Sequence, residues 1–208
     1  MLNNPESDPL LIIVSAPSGA GKTTLCQGLL DSDSKVRRVT TCTTRPPRVG
    51  EQDGVDYHFL PCKAFKVAIN QGQFLEFAEV YGNLYGTRKE DVLREMKGKK
   101  DVLLNIDVQG AHSIRKMVME DATIAKALVT VFLSPPSLVE LEDRLRNRAQ
   151  DKEEIILQRL KHAKTELREW QNFDYLIVSG TREQDLQNLL SIVEAERLKS
   201  KRRLFDLS

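Results

Sequence analysis

With 208 residues, 40% hydrophobic and 29% charged, the chain has the size and composition of one folded α/β domain, not of a disordered polymer or two independent domains. A net charge of +1 supplies no overall field toward nucleic acid or membrane, so any polyanion site has to come from local clusters of Arg and Lys. Three widely spaced cysteines (Cys26, Cys42, Cys62) form no CxxC pair. That argues against a disulfide framework or zinc site and for a reducing, cytoplasmic setting.

Residues 1–9 are polar and read as a flexible lead. The first apolar run, 10–15, has a strand's length and is too short for a signal peptide or a membrane span. A glycine-rich turn and a helix at 22–30 follow, and 36–42 is a candidate further strand of the same sheet. From about residue 41 to 88 the pattern changes to a Pro-rich loop (TTRPPRVGEQDG), a strand-like VDYHFL, a short helix KAFKVAINQ, a strand FLEFAEV and a turn signal YGNLYGT. This region is expected to be a small mixed insert with its own sheet. Buried strands at 101–107, 127–133 and 175–178 are each followed by a helical pattern, at 109–119, 137–148 and 182–199. Before the last pair, Asp151 is a candidate N-cap for a long helix, EEIILQRLKHAKTELREW. The basic end, 199–203, is expected to be a frayed, solvated helix terminus. Such βα alternation predicts a mostly parallel sheet with helices on both faces.

After the first strand stand Ala16, Pro17, Ser18, Gly19, Ala20, Gly21, Lys22, Thr23 and Thr24. This is the P-loop pattern with alanine in place of its first glycine. Gly19 and Gly21 let the backbone curl until successive N–H groups point at one phosphate. The helix N-terminus adds partial positive charge, Lys22 can reach the β- and γ-phosphates, and the Thr23 hydroxyl can meet Mg²⁺. A nucleoside triphosphate with Mg²⁺ is the expected ligand. ATPases, GTPases and nucleotide kinases share this loop, so the reaction has to be sought elsewhere.

The stretch Thr41-Cys-Thr-Thr-Arg45-Pro-Pro-Arg48, Gly50-Glu51, Gly54-x-Asp56-Tyr57, then Glu76, Tyr85-Gly-Thr87 and Ile106-Asp107-Val-Gln-Gly110, resembles the signature of the guanylate kinases. The match runs in order, at family spacing, from about residue 15 to 178. It implies a P-loop NTPase-type parallel sheet with helices on both faces, a small mixed GMP-binding insert and a helical lid. Residues 10–208 are then one domain, with a core of 10–40, 89–136 and 161–208, the insert at about 41–88 and the lid at about 137–160. It also implies transfer of the γ-phosphoryl group of Mg·ATP to GMP, with dGMP as a second acceptor, and neither nucleic acid nor membrane as partner.

The residues make chemical sense beside the resemblance. A nucleoside monophosphate carries close to two negative charges, because its second pKa is about 6. Arg45 and Arg48, on a proline-stiffened loop, can hold those oxygens through forked, charge-assisted hydrogen bonds. A solvated loop is the plain alternative. The resemblance adds hydroxyls from Tyr57 and Tyr85, and assigns base contacts to Thr41, Glu76, Thr87 and Asp107. Guanine offers two adjacent donors, N1–H and the N2 amine, which suit a carboxylate. Alternation does not separate Glu76 from Glu79, which fall on opposite faces. Asp107 ends an apolar strand at the edge where parallel sheets bind ligands; capping the following helix is the alternative, and the two roles can coexist.

Arg144 and Arg148 share a helix face, and Arg159 lies on the next helix. The resemblance makes these three, with Lys22 and Arg45, the catalytic cations that gather around the transferring phosphoryl group. An ordinary salt-bridged face is the alternative for each. A phosphate oxygen needs no general base to attack, and no Ser/His/Asp or Cys/His constellation is expected. Two departures stand out. Asn105 occupies a position where the family commonly has an acid, which leaves Mg²⁺ to Thr23 and to Asn105 or Asp107 through water. Ser179-Gly180 replaces a frequent Asn-Asp pair near the ATP base. A GTPase switch is the rival enzyme, since Asp107-x-x-Gly110 fits its motif, but the chain has no NKxD. A non-catalytic kinase-like scaffold module is the rival of another class, and Lys22, Thr23 and the arginines argue against it.

Overall fold

A run of apolar residues with no exposed face belongs in the middle of a sheet that is covered on both sides. Strand β1 (Leu11–Ser15) is such a run: all five residues are buried, and it pairs in parallel with a neighbour on each side. The structure, a computed structural model, describes residues 7–80, 82–118, 121–147 and 153–203. After β1 come α1 (Lys22–Ser32), β2 (Val36–Arg38), β3 (Cys42–Thr43), β4 (His58–Phe59), α2 (Cys62–Asn70), β5 (Phe74–Val80) and β6 (Asn83–Arg88). The chain continues through α3 (Lys89–Lys97), β7 (Asp101–Asn105), α4 (Val108–Val118), α5 (Ala122–Ala127) and β8 (Leu128–Ser134). It ends with α6 (Leu138–Asn147), α7 (Glu153–Glu166), β9 (Tyr175–Val178) and α8 (Arg182–Leu198).

The larger sheet has the order β2-β7-β1-β8-β9, with every pair parallel. Alternation along β1 sorts its side chains into two cores. Ile12 and Val14 pack with Leu25 and Leu29 of α1 and with Leu189 and Val193 of α8. Leu11 and Ile13 face Val92 of α3, Ile114 of α4 and Ile124 of α5. Burial of each such side chain contributes about 1.5–3 kcal/mol. Local signals agree with the packing. Asp121 caps α5 by accepting from the Thr123 and Ile124 amides, and Thr181 with Gln184 forms a reciprocal capping box on α8.

The smaller sheet, β4-β3-β6-β5, is mixed and has its own core of Cys42, Phe65, Ala68 and Phe74. The Phe65 and Phe74 rings stack 4.4 Å apart. Helices α6 and α7 form a third packed unit around Leu141, Leu145, Ile156 and Ala163. Among the described residues no helix is long and apolar enough to cross a membrane.

Several expectations change. The run 36–42 is not one strand of the larger sheet. β2 stops at Arg38, and from Cys42 the backbone pairs with β6 and β4 instead. The same run therefore feeds both sheets. VDYHFL contributes only the two residues of β4. The turn signal YGNLYGT is mostly strand: Gly82, with φ of 75°, carries the turn, and Asn83–Arg88 runs back antiparallel to β5. The basic end is not simply solvated. Arg202 is 3% exposed, pairs with Glu196 at 3.0 Å and donates to the Leu128 carbonyl at 3.2 Å. Residues 7–9 of the lead are also tied down, because the Asp8 amide donates to the Arg202 carbonyl at 2.7 Å and Ser7 bridges to Arg203. Residues 1–6, Arg148 and the Asp151 cap lie outside the described residues.

Candidate active site

Because the strands are parallel, the ends of β1, β7 and β9 all open on one edge, and the loops that follow them meet there. The loop after β1 turns through Gly19 (φ 95°) and Gly21 (φ 99°) into α1. A side chain at Gly19 would also collide with Leu145 of α6, 2.8 Å from a Cβ there. Ala16 needs no such freedom. Among the described residues Lys99 is the non-glycine with positive φ, and Ala16 is a buried member of the core. The alanine in place of the pattern's first glycine is therefore without strain.

A cavity of ≈490 Å³ sits over this loop, lined by Ala16, Pro17, Ser18, Gly19, Gly21, Lys22, Thr23 and Thr24 on one side. Glu79, Val80, Asp107, Gln109, His162 and Glu166 close the other. Lys22 donates from Nζ to the Ile106 carbonyl at 2.8 Å. Burial lowers its pKa, and the Asp107 and Glu166 carboxylates are among the groups that oppose the shift. Burial likewise raises the Glu166 carboxyl, with Lys22 pulling it back. Around the corner lies a second cavity of ≈650 Å³, bounded by Ala20, Thr24, Arg144, Ser179, Gly180 and Asp185 among others. Arg144 is one of its lining residues. It donates to Ser179 Oγ at 3.3 Å and the Ala20 carbonyl at 3.4 Å, and pairs with Glu140. Ser179 in turn donates to Asp185 at 2.9 Å.

The smaller sheet contributes a second constellation. Arg45 makes a two-pronged ion pair with Glu51 at 2.9 and 3.0 Å, and its guanidinium lies 5.4 Å from the centre of the Tyr57 ring. Tyr57 meets Tyr85 edge-on at 6.1 Å. The pairing with Arg45, helped by the Arg48 amide at 2.7 Å, holds the Glu51 carboxyl below the usual range. The Arg48 side chain is exposed. The half-buried Thr41 lends its carbonyl to the His58 amide at 2.9 Å.

Glu76 settles what alternation left open. It is 4% exposed, whereas Glu79 is exposed at the wall of the loop cavity. The Thr87 hydroxyl, fully buried, donates to Glu76 Oε1 at 2.7 Å. Burial, reinforced by Asp107, pushes the Glu76 carboxyl up to about 7, against the pull of Thr87. Asp107 caps α4 through the Gly110 amide at 2.8 Å, and it also borders the loop cavity. Its two candidate roles are therefore compatible, and it stands between the Glu76 site and Lys22.

Comparison with known proteins agrees with this geometry. The guanylate kinase family model matches residues 9–196. The chain belongs to the guanylate kinase family. It is 46% identical over 189 residues to the guanylate kinase of Aromatoleum aromaticum, covering 91% of this chain and 89% of that one. It is 45% identical over 190 residues to the guanylate kinase of Maricaulis maris, covering 91% and 84%. The crystal structure of guanylate kinase from Anaplasma phagocytophilum superposes with a TM-score of 0.77 at 29% identity, over 96% of this chain and 92% of that one.

Within this guanylate kinase fold, the sequence-predicted groups fall into two clusters, one at the loop and one on the smaller sheet. Arg144 lies at the second cavity, and Arg159 is half-buried on α7. Sequence reasoning passed over Glu166 and His162 in the loop cavity. Both were within reach of a helical pattern, since they lie three and seven residues beyond Arg159 on the same helix. It also passed over the carboxylate partners Glu51 and Glu140 as holders of Arg45 and Arg144.

Proposed function

We propose that this chain transfers the γ-phosphoryl group of Mg·ATP to GMP, and to dGMP, by in-line attack without a general base. The observation that carries it is Glu76, a buried carboxylate fixed by Thr87, close to the Arg45–Tyr57–Tyr85 cluster and across Asp107 from the glycine loop. A carboxylate accepts from guanine N1–H and N2–H together, while adenine presents a lone pair at N1. A site built around such a bond can reject the base that lacks it by on the order of 10⁴-fold.

The roles follow from chemistry. Ala16, Pro17, Ser18, Gly19, Ala20, Gly21, Thr23 and Thr24 wrap the donor phosphates, and Lys22 leaves the Ile106 carbonyl to meet them. Arg45 and Arg48, with the hydroxyls of Tyr57 and Tyr85, take the acceptor phosphate. Thr41, Glu76, Thr87 and Asp107 take the base. Arg144 and Arg159, with Arg148, stabilise charge that develops on the transferring group. The attacking phosphate oxygen is already ionised, so the protein supplies alignment and charge, and closure of the 41–88 insert and the 137–160 lid keeps water out. Among the described residues no three His, Cys, Asp or Glu gather as a metal site. What the loop does offer, the exposed Thr23 hydroxyl with Asp107 lining the same cavity and Asn105 two residues before it in the chain, fits a magnesium ion held mainly by phosphate oxygens and water. When bound, that ion neutralises the β- and γ-phosphate oxygens. The composition supports a cytoplasmic setting, which fractionation of the source cells checks.

The test is a coupled ADP-release assay with ATP and, in turn, GMP, dGMP, AMP, CMP and UMP. Turnover with GMP and dGMP only is expected. Turnover with AMP or UMP but not GMP ends the guanylate reading, and ADP release without an acceptor makes the protein a hydrolase.

A further inference from the structure

Gly110 sits in the first turn of α4, and its φ lies outside the left-handed region, so its backbone makes no demand for glycine. The demand comes from space. A Cβ at Gly110 would stand 2.8 Å from Glu76 Oε2 and 3.4 Å from Asp107 Oδ1. The first distance is well inside carbon–oxygen contact. Neither carboxylate is free to retreat. Glu76 is buried and held through Oε1 by Thr87 at 2.7 Å, and Asp107 Oδ1 accepts the Gly110 amide at 2.8 Å. Two acids from different elements, β5 and the β7–α4 turn, thus converge over one bare Cα.

We propose that Gly110 is a positioning residue for guanine recognition, the floor on which the Glu76 and Asp107 carboxylates come together to meet the base. The inference rests on the GMP reading and deepens it. A methyl group at this position drives Oε2 off the helix and spoils two-point acceptance from N1–H and N2–H. Arg45 and the glycine loop are untouched, so acceptor binding suffers while donor binding does not. Alanine is the better helix former, so the variant has no intrinsic reason to unfold α4.

The experiment compares the full-length protein with Gly110→Ala, Glu76→Asp and the double variant, reading GMP affinity by calorimetry, KM for ATP, and Tm. Gly110→Ala is expected to weaken GMP at least about tenfold, to leave the KM for ATP within about twofold, and to narrow the preference for GMP over AMP. Aspartate is shorter by one methylene and withdraws from the added methyl, so adding Gly110→Ala to Glu76→Asp should change GMP affinity less than about threefold. That non-additivity is the signature of a contact between the two positions. Wild-type GMP affinity in Gly110→Ala overturns the inference. So does an equal loss in the Glu76→Asp background, or misfolding of the double variant, because each makes the glycine structural. A wild-type protein that binds ATP but no GMP overturns the acceptor reading itself.

Discussion

At the glycine loop, most of the polarity that would meet a phosphate is backbone, set by two glycines in left-handed conformations on the end of a strand buried on both faces. On the smaller sheet it is side chains, and the main cation there already has an acid: Arg45 is clasped by Glu51. Arg144, on the helical unit, is likewise paired with Glu140. A backbone cradle is fixed by packing and has little to rearrange. A side-chain cluster is held in geometry by partners that a ligand must displace or share, so its affinity depends on ion pairs and on pH. The donor side should therefore respond to substitution in an all-or-none way, and the acceptor side in graded, separable steps.

The largest effect should come from the donor side. Lys22→Ala removes the cation from the loop cavity and is expected to lower kcat by on the order of 10³-fold, with the fold intact by circular dichroism. A loss below about tenfold would place the essential charge elsewhere. Next comes Glu76→Gln, which should cut kcat/KM for GMP by about 10²-fold and erase most discrimination against AMP. Selective GMP turnover in that variant would remove the carboxylate from base recognition. Arg45→Ala should be milder, raising the KM for GMP about tenfold to hundredfold, the worth of one or two charged hydrogen bonds. An unchanged KM would take Arg45 out of the acceptor site.

The pH dependence separates the two regions further. Glu76 must be ionised to accept from guanine, and its carboxyl sits at about 7. The KM for GMP should therefore fall as pH rises through 7, while the KM for ATP does not share that step. The GMP phosphate, ionising near pH 6, adds a lower step that Glu76→Gln retains. Stability runs the opposite way. The folded carboxyl lies above its ordinary 4.5, so the folded state keeps a proton that the unfolded state has lost. Stability is then lost as pH rises from 4.5 to about 7, by up to about 3 kcal/mol at about 1.4 kcal/mol per pKa unit. Glu76→Gln should abolish that slope in urea titrations, a gain in stability in exchange for function. The smallest effect is a control: Asp121→Ala removes the α5 N-cap and should cost about 1 kcal/mol without changing either KM.

Legibility in the sequence followed the same division. The 10–15 run and the glycine loop could be read because burial on both faces and turn chemistry are local properties. The smaller sheet was legible as a region but not in detail. The run 36–42 is continuous in sequence yet changes sheets after Arg38, which depends on which neighbour offers free backbone groups. YGNLYGT carries turn residues, but among its described residues only Gly82 turns, because β5 supplies a partner for everything after it. Glu76 could be named only by resemblance, since both faces of FLEFAEV carry apolar residues; its burial is a tertiary fact. Arg202 looked like a solvated charge until Glu196 and the Leu128 carbonyl were brought beside it. Glu51 and Glu140 were missed as holders of the cations for that reason too.

The central claim is that a buried, proton-sensitive carboxylate at position 76 selects the acceptor base. Calorimetric titration of GMP into the protein at pH 6, 7 and 8, in two buffers of different ionisation enthalpy, tests it most directly. The expected result is proton release on binding that is largest near pH 6 and vanishes well above 7, and that shrinks to the phosphate's own share in Glu76→Gln. Equal proton release in wild type and Glu76→Gln across this range would contradict it.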